Sequence, residues 1–183
     1  MYEKTKVEAE KVADQCQDIF VKKTKDYGTA WRILRPSSLT DQIFIKAKRL
    51  RSIEEKGKQE VADNIYGEYI ALVNYGIMAM MQMELPEDSN LEMTIEEVQP
   101  LYEKHLNATL SLMLAKNHDY GEAWREMRIS SLTDLILQKL MRIKQIEDNK
   151  GKTLISEGLT GNYQDIINYA IFAMIRIGEP QKA

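Results

Sequence analysis

A sixteen-residue string occurs twice in this chain. DYGTAWRILRPSSLTD at 26–41 and DYGEAWREMRISSLTD at 119–134 agree at 12 of 16 positions, at a constant offset of 93. The match runs on through Lys46/Lys139, Arg49/Arg142 and Glu54/Glu147. One inserted residue then shifts the offset to 94, where VNYGIMAM (73–80) meets INYAIFAM (167–174). A repeat of about ninety residues, present only twice, favours a pseudo-symmetric bundle over an open solenoid. The copies are assigned to 1–84 and 95–183, with the Pro-, Asp-, Ser- and Asn-containing segment 85–94 as linker, and the whole as one compact unit.

Apolar spacing is helical nearly everywhere, and the chain has only 9 glycines and 4 prolines. The spacing predicts helices over 3–25, 39–56 and 61–84, and over 95–118, 132–149 and 157–177. Thr94-Ile-Glu-Glu97 is a capping box that starts the fourth. The expected fold is all-α: a six-helix bundle of two tandem three-helix repeats about a pseudo-twofold axis.

Composition excludes several function classes. A net charge of −3 leaves no basic footprint for nucleic acid. Cys16 is the single cysteine, so no intrachain disulfide forms and a reducing, cytoplasmic setting is expected. No apolar run approaches the roughly 20 residues of a membrane span, and the charged N-terminal segment does not read as a signal peptide.

The polar residues kept in both copies carry the functional signal, because packing alone needs only apolar residues of suitable size. Gly28 and Gly121 read as helix C-caps. Tyr27, Trp31, Tyr120 and Trp124 flank those caps and read as packing anchors or as stacking surfaces for a base, with the adjacent Arg32 and Arg125 able to grip a phosphate. Ser38 and Ser131 read as N-caps of the second helices; Asp41 and Asp134 belong to the first turn or act as ligands. On a helical wheel, Ile43, Leu50 and Ile53 share one side; Lys46 falls between Leu50 and Ile53, and Arg49 just beyond Ile53. Lys46, Arg49, Lys139 and Arg142 therefore lie within or beside an apolar stripe. There they require an internal acid, with Glu54, Glu147, Asp63 and Glu157 as candidates, or a bound anion. Asn74 and Asn168 sit mid-helix in apolar surroundings and read as bundle cross-links or ligand readers. Copy two adds Asp165 where copy one has Ala71, so copy two holds the fuller set.

The Lys-x-x-Asp-Tyr-Gly-x-x-Trp pattern (Lys23 to Trp31, Lys116 to Trp124), the Asp-x-x-x-x-Lys-x-x-Arg helix and the Asn-Tyr-Ala helix resemble the DUF1599 family, nucleotide modification associated domain 1, over both copies. The resemblance implies nucleotides without fixing a reaction, and the tandem chain resembles a dimer fused into one polypeptide. A more distant likeness is to the all-α MazG-type nucleoside triphosphate pyrophosphohydrolases, whose acids hold Mg²⁺. In that likeness Glu157 and Asp165 are the metal ligands, although no Glu-x-x-Glu motif occurs in the equivalent helices. Two readings stay open. One is a nucleotide-binding protein, extending to a Mg²⁺-dependent pyrophosphohydrolase. The other is a non-catalytic module whose polar networks and symmetry serve homo-oligomeric assembly.

Overall fold

A computed structural model describes residues 2–57, 64–87 and 89–179. Its described residues form α1 (Tyr2–Tyr27), α2 (Pro36–Lys56), α3 (Ile65–Glu84), α4 (Ile95–Tyr120), α5 (Ile129–Asp148) and α6 (Leu159–Gly178). A single 3₁₀ turn follows α1 (Ala30–Ile33) and another follows α4 (Ala123–Glu126). The all-α, two-repeat architecture agrees with the sequence reading. Gly28 and Gly121 cap α1 and α4 in the left-handed conformation, at φ 67° and 59°. Both bonds of the Thr94 capping box form: Thr94 N–H donates to Glu97 Oε2 at 2.8 Å and Glu97 N–H to Thr94 Oγ1 at 3.3 Å.

The second helices begin earlier than expected. Pro36 takes the first helical position of α2, where its missing N–H costs nothing, and α5 starts at the equivalent Ile129. Arg35 and Arg128 are therefore the N-caps, and Ser38 and Ser131 lie inside the first turn, with no side-chain cap bond. Helix α3 begins at Ile65 rather than at 61, capped by Asn64 Oδ1, which accepts from Tyr66 N–H at 3.0 Å. Asp63 lies outside the described residues.

Each helix packs on its own equivalent: α1 on α4, α2 on α5 and α3 on α6. That is the pattern of an isologous interface, a residue meeting its partner reciprocally. The α3–α6 contact is close, since a Cβ on Gly76 would lie 2.9 Å from Ile167 Cγ1. Polar bonds repeat the symmetry. Tyr69 meets Thr133 at 3.0 Å and Tyr163 meets Thr40 at 2.6 Å, each across the copies. Thr133 in turn donates to Glu54 at 2.7 Å, and Thr40 bonds Glu147. Arg51 pairs with Asp134 at 3.6 Å and its equivalent Lys144 with Asp41 at 3.1 Å. Asp41, Asp134, Glu54 and Glu147 are thus spent on joining the copies rather than on Lys46 and Lys139.

Loss of solvent, then the neighbouring Asp134 and Asp41, hold the Glu54 and Glu147 carboxyls above the ordinary carboxylate range, against the pull of their threonine bonds. A raised carboxyl pKa means the folded chain binds these protons more tightly than the unfolded chain. Their contribution to stability is present at low pH and is lost as pH rises through the folded values. On acidification from neutrality towards the carboxylate range, we expect the Glu54→Gln, Glu147→Gln double variant to lose the stabilising contribution of these two groups, so that its stability changes less favourably than the parent's. Urea unfolding at a series of pH values checks this.

Candidate functional site

Copy two encloses a cavity of about 1100 Å³, walled by α4, its 3₁₀ turn, α5, α6 and the 149–158 loop. Ligand sites commonly occupy about 300–1,000 Å³. The equivalent space in copy one, as lined by described residues, is about 210 Å³. Both sit where the Tyr-Gly cap turns the chain, so Tyr27 and Tyr120 stand exposed at the mouths, and both reach Trp31 or Trp124 and Asn74 or Asn168.

Charge is concentrated in the copy-two cavity. Lys116, Lys139, Arg142 and Lys152 line it with Asp165 and Glu157, four cations against two carboxylates, a net +2. Asp165 is buried at 6% exposure and bridges two lysines: Lys116 donates to Oδ1 at 2.7 Å and Lys139 pairs with Oδ2 at 2.8 Å. Burial pulls the Lys116 pKa down, but Asp165, with Glu157 behind it, more than offsets this and the net shift is upward. Arg142 is exposed and makes no ion pair among the described residues. Copy one differs. Its acid, Glu68, is buried and accepts from Arg49 at 2.6 Å, with Lys46 at 3.5 Å, so this basic pair is held internally and lies outside the smaller cavity as its described residues line it.

The asparagines also part company. Asn74 Nδ2 donates to Cys16 O at 3.0 Å and Asn168 Nδ2 to the equivalent Thr109 O at 3.3 Å. In copy one Tyr102 O–H donates to Asn74 Oδ1 at 2.6 Å. The residue equivalent to Tyr102 is Ala9, which has no hydroxyl, so the buried Asn168 Oδ1 has no partner. Asn117 Nδ2 and Trp124 Nε1 are likewise buried without partners, and all three residues line the one cavity. Buried polar atoms left unpaired each cost about 1–3 kcal/mol, and all three here belong to residues that line one cavity.

Trp124 does not offer its face. Phe172 stacks on the ring at 4.3 Å and 7°, and the Arg125 guanidinium lies over it at 4.4 Å. Two groups cannot share one face at those distances, so both faces are covered, and Nε1 is itself shut off from solvent. Tyr120, 72% exposed, is the aromatic surface at the mouth.

The repeated arginines of the 3₁₀ turns are structural. Arg125 donates to Glu179 at 3.0 Å, to Glu8 at 2.5 Å, to Glu122 at 3.2 Å and to Thr5 at 2.9 Å. Arg32 is buried and bonds Gln82, Ser89 and the Pro86 carbonyl. The turns themselves are held symmetrically. Gln82 Nε2 donates to Arg32 O and Leu34 O at 2.8 and 2.7 Å, and Arg176 donates to Arg125 O and Met127 O at 2.6 and 2.5 Å. Neither arginine is placed to grip a phosphate.

The residues do not fit a resident divalent cation. Both Asp165 oxygens already hold lysines, and no group of three His, Cys, Asp or Glu that could hold a metal ion occurs among the described residues. Glu157 and Asp165 stand as the two carboxylates that line a cation-rich cavity. Burial pushes the Cys16 thiol up to about 12, which leaves it inert.

The family model for nucleotide modification associated domain 1, DUF1599, matches residues 23–83 and 116–177. The chain belongs to this family, as a tandem two-copy member. Each family segment starts at a lysine, Lys23 or Lys116, runs through the Tyr-Gly cap and Trp, and ends in the third helix of its copy. Neither the curated proteins nor the solved structures compared with the chain give a match, and the likeness to MazG-type enzymes is not among what these comparisons show. No helix of the described residues is long and apolar enough to cross a membrane.

Sequence reasoning passes over Lys116 and Asn117 as site residues. Lys116 is visible in the Lys-x-x-Asp-Tyr-Gly pattern. Asn117 stands where copy one has Thr24, so a search for retained residues does not find it.

Proposed function

We propose that this DUF1599 chain binds a nucleotide, or a closely related phosphate-bearing small molecule, in the copy-two cavity. The phosphate end lies among Lys116, Lys139 and Arg142. The base stacks at Tyr120, at the mouth of the cavity that Trp124, Asn117 and Asn168 also line. The observation that carries this reading is the excess of cations lining one cavity, beside three lining residues whose buried polar atoms lack partners. The family's association with nucleotide modification agrees with it. The alternative, that the retained polar residues serve only structure, accounts for Thr40, Thr133, Asp41, Asp134, Arg32 and Arg125, but not for that cavity.

Calorimetric titration of the chain with each of the four ribonucleoside triphosphates tests the proposal. At least one should bind, and Arg142→Ala should weaken it about tenfold or more, the scale of a charge-assisted hydrogen bond of about 1.5–3 kcal/mol. Binding unchanged in Arg142→Ala, or absent from the parent, would count against it.

A further inference from the structure

Comparison of the two copies locates the anion more closely. With the offset of 94 that holds in the third helices, Glu68 of copy one corresponds to Asn162 of copy two. Glu68 lies in the first turn of α3, at 4% exposure, with Oε1 on Arg49 at 2.6 Å and near Lys46 at 3.5 Å. Asn162 is equally buried at 3% but uncharged, and its Nδ2 is turned back to Gly158 O at 2.9 Å. The exchange removes from copy two a buried acid that in copy one faces the arginine. Asp165, arriving where copy one has Ala71, engages Lys116 and Lys139 but not Arg142. The positive field that Glu68 answers inside copy one is thus left for something else in copy two.

We infer that a phosphoryl group of the ligand binds at Arg142 and the edge of Lys139, in the place that the Glu68 carboxylate takes in copy one. Copy one is thereby a self-occupied replica of the site, and the chain takes one ligand. This rests on the reading of the copy-two cavity as the ligand site. A carboxylate and a phosphoryl group both accept a charge-assisted hydrogen bond from a guanidinium, as Glu68 Oε1 does from Arg49, so Glu68 is a chemical stand-in for the missing anion. Net positive charge around Arg142 favours the more highly charged phosphoryl group, and the mouth between Tyr120 and the 149–158 loop leaves room for what it is attached to.

The test is to put the acid back. Asn162→Glu restores in copy two the carboxylate of copy one, at a helix N-terminal turn where negative charge is favourable. Asn162→Gln is the neutral control. The intact chain and each variant are titrated with inorganic pyrophosphate and with the four ribonucleoside triphosphates. Asn162→Glu should weaken pyrophosphate and nucleotide alike by about tenfold or more, the scale of losing a charge-assisted contact, while Asn162→Gln stays within about threefold. The parent should bind one equivalent per chain. If Asn162→Glu does not fold, the shorter Asn162→Asp carries the same expectation. Undiminished binding of nucleotide by the acidic variant overturns the subsite and leaves the nucleotide reading standing. Pyrophosphate bound by the parent and lost in the acidic variant, with no nucleotide binding, keeps the subsite and removes the nucleotide. No binding of either probe by the parent overturns both.

Discussion

Replacing Arg49 by alanine should cost about 3 kcal/mol of unfolding free energy, the low end for stranding one member of a buried pair. Glu68 is 4% exposed, its Oε2 is already without a partner, and Lys46 at 3.5 Å is a poor substitute for the guanidinium at 2.6 Å. The equivalent Arg142→Ala should cost less than about 1 kcal/mol, as for a surface substitution that breaks no buried network. It strands no acid, since Arg142 has no ion-pair partner among the described residues. The two readings of the repeated basic residues, internal ion pair or anion site, are thereby divided between the copies. Chemical denaturation of both single variants, each with and without nucleotide, checks this. Equal losses of stability would show that Arg142 has a structural partner after all.

Tyr69→Ala and Tyr163→Ala should each cost about 3–5 kcal/mol, the range for truncating a large buried aromatic. Both tyrosines are fully buried, and each reaches across the pseudo-twofold axis to a threonine of the other copy. Truncation opens a void between the copies and leaves the Thr133–Glu54 or Thr40–Glu147 bond without its tyrosine. Because the interface core is continuous, each variant should still unfold in one transition at a lower midpoint. Calorimetry resolving two separate transitions in either variant would show that the copies are independent domains.

Much of the fold was legible because its signals are local. Helical periodicity, the Thr94 capping box and the left-handed Gly28 and Gly121 depend on neighbours within a turn or two. The start of α2 was misplaced because Ser38 looks like an N-cap, whereas Pro36 had already fixed the first turn. The site was legible only in outline. Retention between copies pointed to Tyr120, Lys139, Arg142 and Asn168, which the fold brings to one cavity, and the extra acid Asp165 pointed to copy two. A helical wheel gives a face but not a partner. It could not show that Glu68 closes copy one, that Asp165 bridges two lysines, or that Phe172 and Arg125 cover both faces of Trp124. Most of those contacts join different helices, far apart along the chain, and spacing carries no record of them.

One nucleotide per chain, held in copy two, is what we propose. A crystal structure of the chain soaked with the tightest-binding ribonucleoside triphosphate decides it. We expect a phosphoryl group on Arg142 and Lys139, the base at Tyr120, and copy one empty with the Arg49–Glu68 pair intact. Nucleotide bound equally in both copies, or bound only outside the copy-two cavity, would contradict it.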